Sequence, residues 1–496
     1  MKTLNYQTLK ESNYDGFILE DAPVRVLQFG EGNFLRGFVD YFIDVMNEKA
    51  NFNSKVTLVQ PISQGAFRLK DIINEQQGLY TLYLQGFQDG KEVREKRVIS
   101  TVKNCLNAYE DWDTVLELAK NKDLRFITCN TTEAGIVYDP SCQLNDTPAH
   151  SYPAKLTQFL YARWKQNLPG FIILACELID NNGKELEKFV LQHAKDWNLE
   201  EEFIKWIQNE NIFCSTLVDR IVTGYPRQEA DHLNAENGYI DQTLDTGEIF
   251  GVWVIEGPQS IAKEFPFKEA GLPIILTDNH KPYKERKVRI LNGAHTSMVL
   301  GAFLAGQTIV RDCMYDPTIS AYLNKAIYEE IIPTLSLSKE DCEEFAHAVS
   351  ERFKNPFIDH ELLSISLNST AKWKARVMPS LLGYVEKFGK LPKALSTSLA
   401  SYIAFYRGKE LTEDGLKAIN PVTKKEYTIK DDAAVLEFYA NNANRSNEEL
   451  VSLVLSNEEF WGQDLSQIPG LEEEVLADLN LIDEKGAMEA MKACVE

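Results

Sequence analysis

A lysine, an asparagine and a histidine lie close together in the segment 281–298, at Lys287, Asn292 and His295. Hydride transfer to a ketone needs an acid that protonates the developing alkoxide, and hydrogen-bond donors aimed at the same oxygen. An ammonium, an amide and an imidazole are groups of these types. The segment therefore predicts acid–base chemistry on a carbonyl or hydroxyl group.

The spacing of these residues predicts that they share one broad face of a helix. At ~100° per residue, His295 lies roughly 80° and Asn292 roughly 140° around the helix from Lys287. On a straight helix Lys287 and His295 would be ~12 Å apart along the axis. We therefore expect either a long substrate or an irregular helix near Gly293. A second interpretation stays open, in which Lys287 is a solvated charge, Asn292 a cap and His295 a core residue.

A glycine turn, Gly30-Glu31-Gly32, follows the apolar run 24–29 and opens a helical pattern over 33–49. Such a turn lets the backbone approach a pyrophosphate, and the helix N-terminus supplies N–H groups. Leu35 replaces the third glycine of the usual motif, so an ordinary turn is the alternative. The predicted cofactor-binding residues are Phe29, Gly30, Gly32, Asn33, Phe34 and, at a later strand end, Glu133. Gln60, where an acidic residue is common, leaves NAD and NADP open.

The elements that must position these residues change in character along the chain. Apolar runs at 24–29, 55–62, 125–129 and 171–176 alternate with helical patterns, which predicts an α/β fold with a mostly parallel sheet. From about residue 284 the pattern is nearly all helical, with period-3.6 spacing at 284–304, 317–332, 338–353, 360–374, 393–406 and 447–456. The polar segment 409–432 predicts a loop or hairpin. We place the domain boundary near 275–283.

Composition excludes several functional classes. The 496 residues carry a net charge of −22, which argues against nucleic-acid binding. The N-terminal segment has no signal-peptide pattern, and no apolar stretch is long enough to span a membrane. Eight scattered cysteines fit reduced thiols in the cytoplasm and argue against structural zinc.

Several motifs resemble one enzyme family. The K-x4-N-x2-H pattern from Lys287 to His295 resembles the signature of the polyol-specific long-chain dehydrogenases, the mannitol dehydrogenase family. FGEGNFLRGF (29–38), NTTEAG (130–135), FCSTLVDRIVTGYPR (213–227) and RFKNPFI (352–358) resemble its members that act on sugar acids. The resemblance covers essentially the whole chain.

This resemblance implies a Rossmann-type, doubly wound domain at 1–280, a mostly α-helical domain at 281–496 and a site between them. It also implies NAD as cofactor, no metal, Lys287 as general acid/base, Asn292 as oxyanion donor and His295 as a contact of a substrate hydroxyl. The implied reaction is reduction of D-tagaturonate by NADH to D-altronate in hexuronate breakdown. The sequence itself leaves open whether the protein is a monomer or a small homo-oligomer. Reduction of fructuronate, a mannitol-type reaction, and a nucleotide-binding redox sensor without chemistry are the alternatives.

Two positions depart from the wider family. Leu178 stands where mannitol 2-dehydrogenases have a second oxyanion asparagine, and it cannot donate a hydrogen bond. Lys284 stands where the family has a glutamate, so we predict that it binds a substrate carboxylate; a solvated lysine paired with an acid is the alternative. The other predicted substrate residues are Asp219, Arg220 and Arg352, with Asn355 and Lys372 as weaker candidates and a structural ion pair as the alternative for Asp219 and Arg220.

Overall fold

The structure is a computed structural model that describes residues 1–63 and 69–496. By its contacts the chain divides into two compact units, Met1–Gln85 with Val93–His280, and Gly86–Glu92 with Lys281–Glu496. None of the helices in the described ranges combines the length and the apolar character needed to cross a membrane.

The first unit contains most of the strands. The strands of the chain are β1 Val24–Phe29, β2 Lys55–Gln60, β3 Tyr80–Gln88, β4 Lys91–Ile99, β5 Val102–Asn107, β6 Phe126–Cys129, β7 Ile172–Ala175, β8 Ile212–Asp219, β9 Asp245–Glu248, β10 Val252–Glu256, β11 Ile274–Thr277, β12 Glu410–Thr412, β13 Gly415–Ile419 and β14 Glu426–Ile429. The helices of the first unit are α1 Tyr6–Glu11, α2 Asn33–Leu35, α3 Tyr41–Ala50, α4 Leu69–Glu75, α5 Trp112–Glu117, α6 Tyr152–Trp164, α7 Asn182–Asp196, α8 Glu201–Glu210 and α9 Ala230–Asn237.

An eight-stranded sheet in the order β11-β10-β8-β7-β6-β1-β2-β5 organises this unit. Neighbouring strands pair in parallel through the part of the sheet with the order β8-β7-β6-β1-β2-β5. Strand β10 pairs antiparallel with β8. This is the strand order of a Rossmann fold, with the order reversing between β1 and β6. Val26 and Leu27 belong to separate hydrophobic clusters on the two faces of the sheet, and both are fully buried. The run 24–29 is therefore apolar without alternation because helices cover both faces.

The second unit is mostly helical, as predicted. Its helices are α10 Lys281–Arg286, α11 Gly293–Leu304, α12 Val310–Tyr315, α13 Pro317–Asn324, α14 Lys339–Phe353, α15 Leu362–Ile365, α16 Ser369–Arg376, α17 Met378–Phe388, α18 Lys393–Phe405, α19 Ala433–Asn441, α20 Asn447–Leu455, α21 Glu458–Trp461, α22 Leu471–Lys485 and α23 Ala487–Val495. The segment predicted as a loop or hairpin contains the small antiparallel sheet β12-β13-β14. The single helix predicted over 360–374 is wrong: Asn368, with φ of 54°, separates α15 from α16.

π-Helical stretches interrupt two helices that carry predicted site residues. The first, Arg36–Asp40, joins α2 to α3, and the second, Lys287–Asn292, joins α10 to α11. A π-helix has i→i+5 hydrogen bonds and is frequent at functional sites. The irregularity expected near Gly293 is therefore present in the structure.

Candidate active site

The glycine turn lies directly after β1, at the reversal of strand order. Gly30 has a φ of 129°, which favours glycine. A Cβ on Gly30 would lie 2.8 Å from Cδ1 of Leu35 and 3.3 Å from the carbonyl oxygen of Asn130. The turn therefore requires glycine at this position for two independent reasons.

The N-terminus of the following helix is open to a ligand. Gly32 is its N-cap and supplies no side chain, so none of the first N–H groups receives a side-chain cap. A Cβ on Gly32 would have no heavy atom within 4 Å, so the turn faces open space. Uncapped N–H groups and the helix dipole fit a pyrophosphate. The exposed Asn33 accepts a hydrogen bond of 2.7 Å from the Arg36 guanidinium, which orders the turn.

The other predicted cofactor residues surround this turn at different depths. Phe29 is fully buried with its ring 5.1 Å from that of Tyr152, so it packs in the core directly before the turn. Phe34 is half-buried and stacks on Phe38. Glu133 is exposed in a turn after β6. These placements leave the cofactor roles of the six residues as predictions.

Gln60, at the end of β2, has a partner inside the protein. It is buried, and its side-chain oxygen accepts a hydrogen bond of 3.1 Å from the Asn107 amide. Gln60 lies where the motif contacts the adenosine ribose, but it has no negative charge that would repel a 2′-phosphate.

Glu177 is a buried acid that the sequence did not single out. Its carboxylate accepts hydrogen bonds of 2.9 Å from both the backbone N–H and the hydroxyl of Thr131. Burial raises the pKa of Glu177. The residue thus ties the end of β7 to the loop after β6, whereas its neighbour Leu178 is 64% exposed.

Arg220 lies at the end of β8 and is buried. Its guanidinium donates to the carbonyls of Gly37, Ile249 and Phe250 at 2.9, 3.3 and 3.0 Å. Burial lowers the pKa of Arg220 to about 10. These contacts favour a structural role, so binding of substrate by Arg220 and the buried Asp219 stays a prediction.

In the second unit, the π-helical stretch changes the relative positions of the predicted catalytic residues. Gly293 N–H donates to the carbonyl of Val288, five residues earlier. With i→i+5 bonding, residues five apart follow one another along one side of the helix. Lys287 and Asn292 are such a pair, so the 140° separation calculated for a regular α-helix does not apply to them. His295 follows within the next turn, in α11.

The four basic residues at and just before the start of this stretch separate into two pairs. Arg286 and Arg289 are buried: Arg286 lies over the Phe345 ring at 4.4 Å, and Arg289 donates to the Ser380 hydroxyl at 2.6 Å. Lys284 and Lys287 are half-buried and one turn apart. The two arginines therefore pack the helix against its neighbours, whereas the two lysines lie on a more exposed side of the helix.

His295 is held between aromatic rings. Its imidazole stacks on Phe353 with centroids 4.1 Å apart and meets His360 edge-on at 5.3 Å. Its Nε2 is buried and has no hydrogen-bond partner among residues 1–63 and 69–496. Burial lowers the pKa of His295 well below its ordinary value, and the nearby His360 and Arg352 lower it further. The imidazole is therefore neutral at working pH and keeps one nitrogen as a donor.

Of the predicted carboxylate-binding residues, Arg352 lies at the end of α14 and contributes charge to this histidine pair. Lys372 donates to the carbonyl of Ile365 at 2.8 Å. Asn355 is buried, and its side chain accepts from the Phe357 N–H at 3.0 Å. Sequence analysis missed His360, because no motif marks it.

Within the described chain no group of three or more histidine, cysteine, aspartate or glutamate side chains is placed to hold a metal ion. All eight cysteines are free and buried.

Comparison with known families agrees with this architecture. Residues 24–269 match the mannitol dehydrogenase Rossmann domain, and residues 279–483 match the mannitol dehydrogenase C-terminal domain. The chain belongs to the mannitol dehydrogenase family. Its α/β fold, a Rossmann domain followed by a helical C-terminal part, is thereby confirmed.

Similar full-length proteins carry one name. The chain is 46% identical to altronate oxidoreductase of Klebsiella pneumoniae (strain 342) and 45% identical to that of Escherichia coli O7:K1, with 99% of each chain covered. Among solved structures, substrate-free D-sorbitol dehydrogenase is 21% identical with a TM-score of 0.79, covering 99% of this chain and 100% of that one. The Pseudomonas fluorescens mannitol 2-dehydrogenase complex with NAD and D-mannitol is 22% identical, with a TM-score of 0.64 and 99% of both chains covered. These two structures support the fold alone.

Proposed function

We propose that this protein is an NAD-dependent altronate oxidoreductase, which reversibly reduces D-tagaturonate to D-altronate with NADH. The observation that supports the chemistry is that Lys287 and Asn292 are the first and last residues of one π-helical stretch, which leads directly into the helix that carries the neutral His295. The name shared by relatives at 45–46% identity over the whole chain supports the choice of substrate.

The proposed mechanism assigns one task to each side chain. Bound NADH supplies the hydride, which reaches the ketone carbon of the substrate. The Lys287 ammonium gives its proton to the oxygen that becomes the alcohol, and in the reverse direction the amine accepts that proton. The Asn292 amide donates a hydrogen bond to the same oxygen while negative charge develops there. His295 donates its N–H to a substrate hydroxyl.

The residues of the glycine turn fit the cofactor. The N–H groups after Gly32 would bind the pyrophosphate. Gly30 allows the tight turn because it has no Cβ to contact Leu35 and Asn130. Phe34 and Glu133 would lie along the nucleotide. We favour NAD over NADP because the family and the altronate oxidoreductase relatives support it, although Gln60 has no negative charge that would exclude a 2′-phosphate.

Steady-state assays test the function directly. The purified protein is incubated with D-altronate, D-mannonate or D-mannitol and either NAD or NADP, and absorbance of the reduced nicotinamide is followed. The reverse reaction is measured with tagaturonate and fructuronate. We expect the highest kcat/KM for altronate and tagaturonate with NAD(H). A preference for mannonate and fructuronate, or for mannitol, would assign another activity, and no turnover of any sugar would favour a redox sensor.

We further infer a cytoplasmic enzyme that acts as a monomer or small homo-oligomer on a small anionic substrate. The net charge of −22 requires that positive charge be concentrated locally wherever that substrate binds. Light scattering of the purified chain measures the oligomeric state.

A further inference from the structure

Arg376, the last residue of α16, is a half-buried cation with no partner in the described chain. Its guanidinium makes no hydrogen bond, ion pair or aromatic contact with residues 1–63 or 69–496. Burial lowers the pKa of Arg376, but an arginine stays charged at neutral pH. The half-buried guanidinium has lost part of its hydration, and no protein group in the described chain replaces the lost hydrogen bonds. Its charge is therefore available to an anionic ligand.

The position of Arg376 is fixed against the proposed catalytic helix. A Cβ on Gly293 would lie only 3.0 Å from the carbonyl oxygen of Arg376, so glycine allows an approach that any larger residue would crowd. Gly293 lies between Asn292 and His295. The end of α16 is therefore packed against the residues proposed to contact the reacting oxygen and a substrate hydroxyl.

The electrostatic surroundings of Arg376 are positive. His360, Arg352, Arg376 and Lys372 all act on His295, in that order of decreasing effect, to lower its pKa beyond the effect of burial. Lys372 lies one turn before Arg376 on α16, and like charges at i,i+4 repel. Burial and then Arg376 lower the pKa of Lys372, while Asp431 raises it. Asp431 already accepts hydrogen bonds from Thr370 and from the Tyr406 hydroxyl.

We propose that Arg376 binds the carboxylate of the sugar-acid substrate and sets the preference for sugar acids over neutral polyols. The planar guanidinium matches a carboxylate with two parallel N–H···O bonds, which a neutral hydroxymethyl group cannot accept. The proposal rests on the proposed function, since it assumes a six-carbon acid whose other end reaches Lys287. It differs from the prediction that Lys284 or Arg352 has this role.

The test compares Arg376→Gln with Lys374→Gln as matched control. Lys374 is on the same helix, but its side chain is directed to Gly462, with Nζ 3.2 Å from the place of a Cβ on that glycine. Oxidation of D-altronate by NAD gives kcat and KM, and D-altritol, the neutral alcohol with the same carbon chain, serves as competitive inhibitor. We expect Arg376→Gln to raise KM for altronate roughly 10- to 100-fold, as for loss of a charged hydrogen bond. The inhibition constant of altritol should change less than about threefold, and Lys374→Gln should leave all values near those of the wild type.

Chemical rescue separates binding from a purely structural role. Arg376→Ala should recover part of its affinity for altronate when guanidinium ion is added at low millimolar concentration, and Lys374→Ala should not respond. The proposal is overturned if the altronate KM of Arg376→Gln stays within twofold of the wild type, if altritol binding weakens equally, or if guanidinium restores nothing. A wild-type enzyme that does not oxidise altronate at all would instead reject the proposed function.

Discussion

Asp40 offers a quantitative test of the first unit. It lies in the π-helical stretch Arg36–Asp40 and is fully buried. Its Oδ2 accepts a hydrogen bond of 3.2 Å from the Gln28 amide, and its Oδ1 has no partner in the described chain. Burial raises the pKa of Asp40 from an ordinary 3.8 to about 7, although Gln28 and Arg36 lower it.

This shift makes stability depend on pH with a definite sign. The folded state holds the proton on Asp40 more tightly than the unfolded state. The contribution of Asp40 to the free energy of unfolding is therefore complete below the pKa of the unfolded state and is lost as pH rises through about 7. At ~1.36 kcal/mol per unit, the shift corresponds to about 4 kcal/mol in total. Between about pH 5 and about pH 8 the loss amounts to roughly 2–3 kcal/mol.

Asp40→Asn mimics the protonated carboxyl at every pH. We expect its free energy of unfolding, relative to the wild type, to rise by roughly 2–3 kcal/mol between those two pH values. This difference is measured by urea unfolding, with hydrogen exchange of the β1 amides as the probe of the first unit. Asp245, whose pKa burial also raises to about 7, is present in both proteins and cancels. Asp113→Asn, an exposed change, is the control. A difference that does not vary with pH would refute the reasoning.

Three further substitutions test the site. Lys287→Ala should lower turnover in both directions by roughly 10²–10⁴ while NADH binding, measured by fluorescence, is kept; near-normal turnover would remove its role as acid/base. Gly30→Ala should weaken NADH binding at least about tenfold, because it combines a positive φ with contacts of 2.8 and 3.3 Å. Gly90→Ala, with φ of 76° and no heavy atom within 4 Å of the added Cβ, is its control and should bind NADH normally. Gly293→Ala should lower kcat about 10- to 100-fold by displacing α16 from the catalytic helix, with little change in thermal unfolding; unchanged kcat would show that this packing does not position the site.

Local pattern was sufficient to predict the sheet. β1 occupies the predicted run 24–29, because a fully buried parallel strand followed by a glycine turn has a distinct sequence. The small sheet β12-β13-β14 arises where polar residues, glycine and proline indicate a hairpin. The break between α15 and α16 was missed because Asn368 resembles any polar helix residue until its φ is known. Arg376 was missed for the same reason, since the helix predicted over 360–374 ends before it.

The sequence could not predict the relative angles of the proposed catalytic side chains, because no characteristic composition marks a π-helical stretch. Its stability comes from residues far along the chain. In the first stretch the carbonyl of Arg36 accepts from the Tyr80 hydroxyl at 2.8 Å, and that of Gly37 accepts from Arg220 at 2.9 Å. A change from i→i+4 to i→i+5 bonding leaves carbonyls without helix partners, so these two side chains supply what the wider turn lacks.

The second stretch is stabilised differently. There, Arg289 donates from within the stretch to Ser380 and Thr334, and the Arg376 carbonyl packs against Gly293 at its end. In both cases the side chain of an arginine, Arg220 or Arg289, donates hydrogen bonds that support an irregular helix. Arg289 has these hydrogen-bond partners, whereas the guanidinium of Arg376 has none in the described chain, and this difference is the basis of the proposal that Arg376 binds an anion.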